Sequence, residues 1–436
     1  MSITLLTLDE RFCQMVGDWI QVDTTTNITT NNSLISTALQ NYDHGVDDRF
    51  ENYWVYLEEN NNSAVERLVY DYYTSTGTCL LRGANLSADS SATTFRLTKT
   101  KFTDRKTAIN DALRELYSYN VLRKGVDNKT LISGNILPNS HFEDWASSSY
   151  PDKYGVTNAT AAATTTAGLY RGGAKSSKVT ASAADGYMSI TSNDYPELLD
   201  LRGETIDFKA WVYPEVSDDA FLTIYTTEPD GTAQTLNSTT AVYAGKWNLI
   251  ELESQTINDD INYIEFRFRV HTNAKYAYFD DARVVGKTVY DYLLPGDFQD
   301  GDIRTVSIQY TGNSDDICDD IGMVKYGAIY NWHTVDNGTD KFLHIDSAPK
   351  GYRIKLEGET PFDALTAATS TVNITDEQAN VLLEYAIFLL YRRLAGLMTS
   401  DDTAKIYEKA MEHYSRYNLL SGRKPRKSGR VACEPL

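Results

Sequence analysis

Apolar residues recur at helical spacing near both ends of the chain and at alternate positions through its middle. The strongest helical stretch is Asp376 to Leu397, with Val381, Leu382, Tyr385, Ala386, Leu389 and Leu394 on one face. Ile387, Phe388 and Tyr391 cover much of the opposite face, so this helix must be buried on two sides. Thr375 and Gln378 form a capping box at its start, and Gly396 is placed to end it. A membrane span is excluded, because Glu384 interrupts an apolar run of only about eleven residues where roughly twenty are needed. Weaker helical stripes are Leu8 to Val16, opened by Thr7 and Glu10; Leu34, Ile35, Ala38, Leu39 and Tyr42; and Ala108 to Tyr117, capped by Thr103. A last helix carries Tyr407, Ala410, Met411, Tyr414 and Tyr417 on one face.

Between these helices the period falls to two. Residues 52–102 read as strands rich in Val, Tyr and Thr, forming a small antiparallel barrel or sheet. Residues 135–287 are dense in Ser, Thr, Ala and Gly, alternate in short runs, and predict a separate β-sandwich. In TIDFKAWVY, Ile206, Phe208, Ala210 and Val212 point inward, which sends Trp211 and Tyr213 out. In FLTIY and NYIEFRFRV the same alternation sends out Tyr225, Glu265 and Arg267. If these strands share a sheet, its outer side sets aromatic rings beside charged groups, as a sugar-binding surface does. A hairpin follows around Asn337-Gly338.

A length of 436 residues fits two or three domains. The formal charge of −19 argues against general nucleic-acid binding, since basic residues cluster only from Arg423 to Arg430. Four widely spaced cysteines form no CxxC pair, and the N-terminus lacks the pattern of a signal peptide. No HExxH, GxSxG, phosphate-binding glycine loop or GxGxxG occurs, so no catalytic residue and no enzyme activity are expected.

Two family resemblances add to this reading. The segment NILPNSHFEDW, followed by GGAKSSKV and the late YAYFDDARV, resembles jelly-roll carbohydrate-binding modules. Around it, VERLVYDYYTSTGTCLLRG, FRLTKTKFTDRKTAINDALRELY, YDYLLPGDF and LLEYAIFLLYRRLAG are similar in pattern to head-to-tail adaptor (neck) proteins of tailed bacteriophages. Together they imply an α+β chain whose discontinuous adaptor domain, a helical bundle plus a small antiparallel β-barrel or sheet, is interrupted by an all-β jelly-roll sandwich. The expected divisions are 1–133, the inserted module at 134–287, the returning adaptor at 288–422 and a basic flexible tail at 423–436. The adaptor resemblance implies a homo-oligomeric ring, a dodecamer, in the virion neck, between portal protein and tail or neck proteins, with DNA passing through the lumen unbound and no membrane contact.

The expected site residues follow from both lines. Trp211, Tyr213, Tyr225, Arg267 and Glu265 are the candidates for a host glycan. Glu143 and Asp281 are, through the module resemblance, candidate ligands of a structural calcium ion, against a surface role or a hydrogen bond to the Lys175 loop; no other cofactor is required. Phe142, Trp145 and Tyr154 are expected in the core. Ile387, Phe388, Tyr391, Arg392 and Arg393 are candidates for the subunit interface, and Arg423, Lys424, Arg426, Lys427 and Arg430 for contact with portal protein or DNA. The rival readings are a secreted or cell-wall glycan-active enzyme with a binding module, and a tail-fibre or baseplate attachment protein.

Overall fold

The computed structural model describes residues 2–310, 324–397 and 400–422. The chain divides into two compact units, one built from Met1–Lys124 and Pro361–Leu436, the other from Gly125–Thr360. The first unit is therefore discontinuous, closed by chain from both ends.

Within the first unit, Ser2–Thr4 pairs antiparallel with Thr371–Asn373, joining those two stretches of chain at once. Thr4 caps the helix Leu5–Val16 by accepting the Thr7 N–H, three residues earlier than the Thr7 start expected from sequence. An antiparallel six-stranded sheet follows, in the spatial order Ile20–Asp23, Thr94–Thr98, Trp54–Leu57, Glu66–Tyr73, Thr78–Arg82 and Ser33–Ile35. Its last strand corrects the expected helix at 34–42. Leu34 and Ile35 pair with Cys79 and Thr78, and only Thr37–Asn41 turns, as a 3₁₀ segment. The helix Phe102–Ser118 has Lys101 at its N-cap with no side-chain cap, and Thr103, expected as its cap, gives its hydroxyl proton to Glu66 instead.

Leu5–Val16, Phe102–Ser118, Asp376–Ala395 and Ser400–Gly422 share one apolar core. The Thr375–Gln378 capping box forms as read. Asp376–Ala395 is covered on its second side by the chain's own Ser400–Gly422 helix, through Tyr385 on Tyr417 and Phe388 on Tyr414, both at 4.8 Å between ring centroids. Glu384 meets His413 at 2.6 Å inside the same contact. A neighbouring subunit is not needed to bury that face. Among the described residues no helix is long and apolar enough to cross a membrane.

In the second unit, two five-stranded antiparallel sheets pack face to face as a jelly-roll-like sandwich. One runs Ala159–Thr164, Ser176–Ala181, Tyr276–Val285, Thr205–Pro214, Asn248–Thr256; the other runs Ala233–Asn237, Ala220–Thr227, Tyr263–Val270, Gly186–Thr191, Gly155–Thr157. The inward residues read from alternation fill the space between them, with Phe208 on Phe266 at 5.1 Å. Phe142 and Tyr154 lie in this core and Trp145 packs against it. The unit extends past the 134–287 span expected for the module. It also holds a four-stranded sheet, in the order Tyr326–Ile329, Asp302–Gln309, Arg353–Thr360, Lys124–Ile132, and a three-stranded one that contains the expected hairpin.

Candidate functional site

The five residues expected to form one glycan surface lie on two different sheets. Trp211 and Tyr213 stand on Thr205–Pro214, whereas Tyr225, Glu265 and Arg267 stand on the opposite sheet. The alternation of each strand is as read; what fails is the premise that the strands share a sheet.

On the first sheet the rings are already engaged. The Arg171 guanidinium lies 3.6 Å from the centroid of Trp211, covering one ring face, and Tyr213 meets Trp247 and Tyr278 edge to face at 5.6 and 5.8 Å. Lys178 sits over Tyr276 at 4.0 Å. This face is a self-packed network of rings and cations.

The second sheet also packs rings on cations, but it is centred on an ion pair. Its central strand, Tyr263–Val270, carries Arg267 in the middle, and the pairing registers place Gly155, Ser189, Arg267, Thr223 and Asn237 in one row across all five strands. At about 4.8 Å between strands, that row is roughly 19 Å long. Apart from Arg267 its members are small or short. Rows of larger residues border it, with Tyr187, Arg269 and Phe221 on one side and Glu265 and Tyr225 on the other. The Arg267 guanidinium lies 4.7 Å from the Tyr187 ring and 4.2 Å from the Tyr225 ring. Glu265 Oε2 accepts from Arg267 Nε at 2.9 Å and Nη2 at 2.7 Å, and Glu265 keeps only 4% of its surface exposed. A carboxylate so nearly buried is tolerable because a guanidinium fork answers it. The sequence reading sends Phe221 and Arg269 outward without counting them among the glycan candidates, and it misses Tyr187. Their signal was available in the outward positions of YMSI, FRFRV and AFLTIY, but only strand order makes them neighbours.

Calcium does not fit the expected pair. Asp281 accepts from Arg283 Nε at 2.9 Å and Nη2 at 2.7 Å, and from Arg353 Nη2 at 2.6 Å. Burial pushes the Asp281 carboxyl up, yet the guanidinium groups of Arg353 and Arg283 hold it below the usual carboxylate range. Burial lowers His141 to about 3, so its ring is neutral and Nε2 can accept from Arg353 Nη1 at 3.1 Å. Two guanidinium groups thus stand where a dication would have to bind. Glu143 takes the other role weighed for it: Oε1 accepts the N–H groups of Ala174 at 2.7 Å and Lys175 at 2.9 Å, and burial pushes its carboxyl up to about 7. Among the described residues no three His, Cys, Asp or Glu side chains are grouped to hold a metal. Glu143, Asp144, Arg171 and Arg353 line a polar cleft of about 580 Å³.

The interface candidates are placed inside the first unit. Ile387 is fully buried in its own core and has no surface to offer a second subunit. Phe388 packs on Tyr414, Tyr391 lies over His413, and Arg393 pairs with Asp111; Arg392 is exposed. The basic candidates Arg423, Lys424, Arg426, Lys427 and Arg430 lie outside the described residues.

No protein-family model matches the chain, and no curated protein matches it. Among solved structures, a xylan-binding domain of the CBM22 class aligns at TM-score 0.30 and 14% identity, over 35% of this chain and 95% of that one. The C-terminal family 22 carbohydrate-binding module of Clostridium thermocellum Xyn10B aligns at TM-score 0.30 and 15% identity, over 36% of this chain and 98% of that one. The enzymatically active domain of tailspike protein 4 of bacteriophage CBA120 aligns at TM-score 0.25 and 10% identity, over 35% of this chain and 22% of that one.

Proposed function

We propose that the protein binds glycan chains through the outer face of the sandwich sheet centred on Tyr263–Val270. The observation that carries this reading is the row through Ser189, Arg267 and Thr223, flanked by the rings of Tyr187 and Tyr225 and set beside the Arg267–Glu265 pair. The rings of Tyr187 and Tyr225 offer apolar surface to sugar C–H faces, and the Arg267 guanidinium held between them orients hydroxyls. No reacting group is required of the protein in this reading, and it acts without enzymatic chemistry. Full-length protein should bind on a glycan array, and Arg267→Ala or Tyr225→Ala should each weaken binding by about tenfold, a loss of about 1.4 kcal/mol. Absence of any bound glycan, or equal binding by both variants, would sink the reading.

A second reading concerns the first unit. Its discontinuity, with Met1–Lys124 and Pro361–Leu436 enclosing a complete second unit, supports a host domain carrying an inserted one, as in the adaptor resemblance. In that reading the protein is a virion neck component assembled as a ring between portal and tail, and the sandwich decorates it. Repetition around a ring would raise weak glycan affinity by multivalency.

A further inference from the structure

We infer that Glu265 sets the ligand class of this face, selecting neutral, hydroxyl-rich glycans and excluding those that carry carboxylate or sulfate groups. The inference rests on the glycan reading above and names the chemistry of the same site. Arg267 is the cation at the centre of the face, and an isolated guanidinium there would favour an anionic sugar, since it matches a carboxylate fork to fork. Glu265 already fills that place. Its Oε2 takes both Nε and Nη2 of Arg267, and Glu265 is itself nearly buried.

The arrangement is repeated at the end of the strand. Arg269 Nη2 meets Asp185 Oδ1 at 3.1 Å, and His271 Nδ1 reaches the same oxygen at 2.8 Å. Each outward arginine of the strand therefore carries its own carboxylate. The strands on either side, GYMSIT and AFLTIYTT, contribute no charged side chain, and neither do the outer strands AQTLN and GVT. Arg267 and Arg269 are thus balanced by Glu265 and Asp185.

An acidic sugar arriving here would have to displace a nearly buried carboxylate from its fork, or sit beside it and suffer like-charge repulsion where solvent screening is weak. A neutral sugar meets neither obstacle. Two of the Arg267 N–H donors go to Glu265, so a sugar hydroxyl can accept from the remaining ones without disturbing the pair.

The test is an array of neutral oligosaccharides printed with their uronate- and sulfate-bearing counterparts, probed with the full chain and with Glu265→Gln. The parent should bind neutral members. Glu265→Gln, which keeps the shape and an acceptor oxygen but removes the charge, should shift the acidic-to-neutral ratio by about tenfold or more toward the acidic members. A parent that prefers acidic glycans overturns the inference while leaving glycan binding intact. The same holds for a folded Glu265→Gln, checked by its thermal melt, that leaves the ratio unchanged. If Glu265→Gln does not fold, the parent's own ratio still decides. A parent that binds no glycan defeats the underlying reading and this inference with it.

Discussion

Asp280 and Asp281 are adjacent and both buried, and regular alternation after Ala277 and Phe279 would turn Asp281 into the apolar core between the sheets. A bulge resolves this. The pairing of Thr205–Pro214 with Tyr276–Val285 slips between Lys209 and Trp211, and Asp281 takes φ 50°, so it turns toward Arg283 and Arg353 while Asp280 accepts the Arg171 and Gly172 N–H groups. Nothing in the run FDDARV marks the bulge, so the reading of Asp281 as a metal ligand had no local signal to correct it. Glu143 gives the residue-scale prediction. Its carboxyl is raised from 4.5 to about 7 by burial, so the folded chain holds the proton more tightly than the unfolded chain does. The stability this contributes is complete below about pH 4.5 and is lost as pH rises through 7. Glu143→Gln keeps an oxygen for the Ala174 and Lys175 N–H groups but removes the titration. Thermal melts of the parent should fall between pH 5 and 8 by more than those of the variant. Parallel profiles would show that Glu143 titrates normally.

At the scale of elements, legibility followed from how local the deciding interaction is. The Asp376–Ala395 helix was readable because cap, period and stop lie within its own residues, and the inward positions of the sandwich strands were readable for the same reason. The partners were not readable. Leu34, Ile35, Ala38, Leu39 and Tyr42 keep helical spacing, but pairing of Leu34 and Ile35 with Thr78–Arg82 overrides it. Trp211 and Tyr225 both point outward, but strand order sends them out on opposite sides of the sandwich. The two-sided helix carries the same lesson: its need for a second covering was legible, and the chain itself supplies the cover. Phe388 lies between Tyr385 and Tyr414, so Phe388→Glu places a charge inside the unit's own helical packing. It should lower unfolding stability by roughly 2–4 kcal/mol in urea titrations. A variant as stable as the parent that has lost only self-association would return Phe388 to the subunit surface.

For the whole molecule, the question is where one unit can be separated from the other. Cutting out 135–287 would remove Asp281 and His141 while leaving Arg353 on its strand, stripping a buried guanidinium of its carboxylate, and would take away the Gly286 carbonyl that accepts from Lys350 Nζ. Cutting at 124 and 361 severs neither network. It also leaves ends that are close, since Lys124 Nζ lies 3.9 Å from Asp363 Oδ2 within the first unit. A bridge of about five Gly and Ser residues should therefore join residues 1–124 to 361–436, because closing so short a gap adds little loop entropy. That joined unit and Gly125–Thr360 expressed alone should each unfold cooperatively, whereas deletion of 135–287 should give insoluble or poorly cooperative protein. The adaptor reading adds that the joined unit, freed of the sandwich, still assembles into rings visible by negative-stain imaging. A soluble, cooperative 135–287 deletion would show that the buried Arg353 network is dispensable, and a joined unit that folds but never forms rings under conditions where the full chain does would remove the first unit from the role of ring-former.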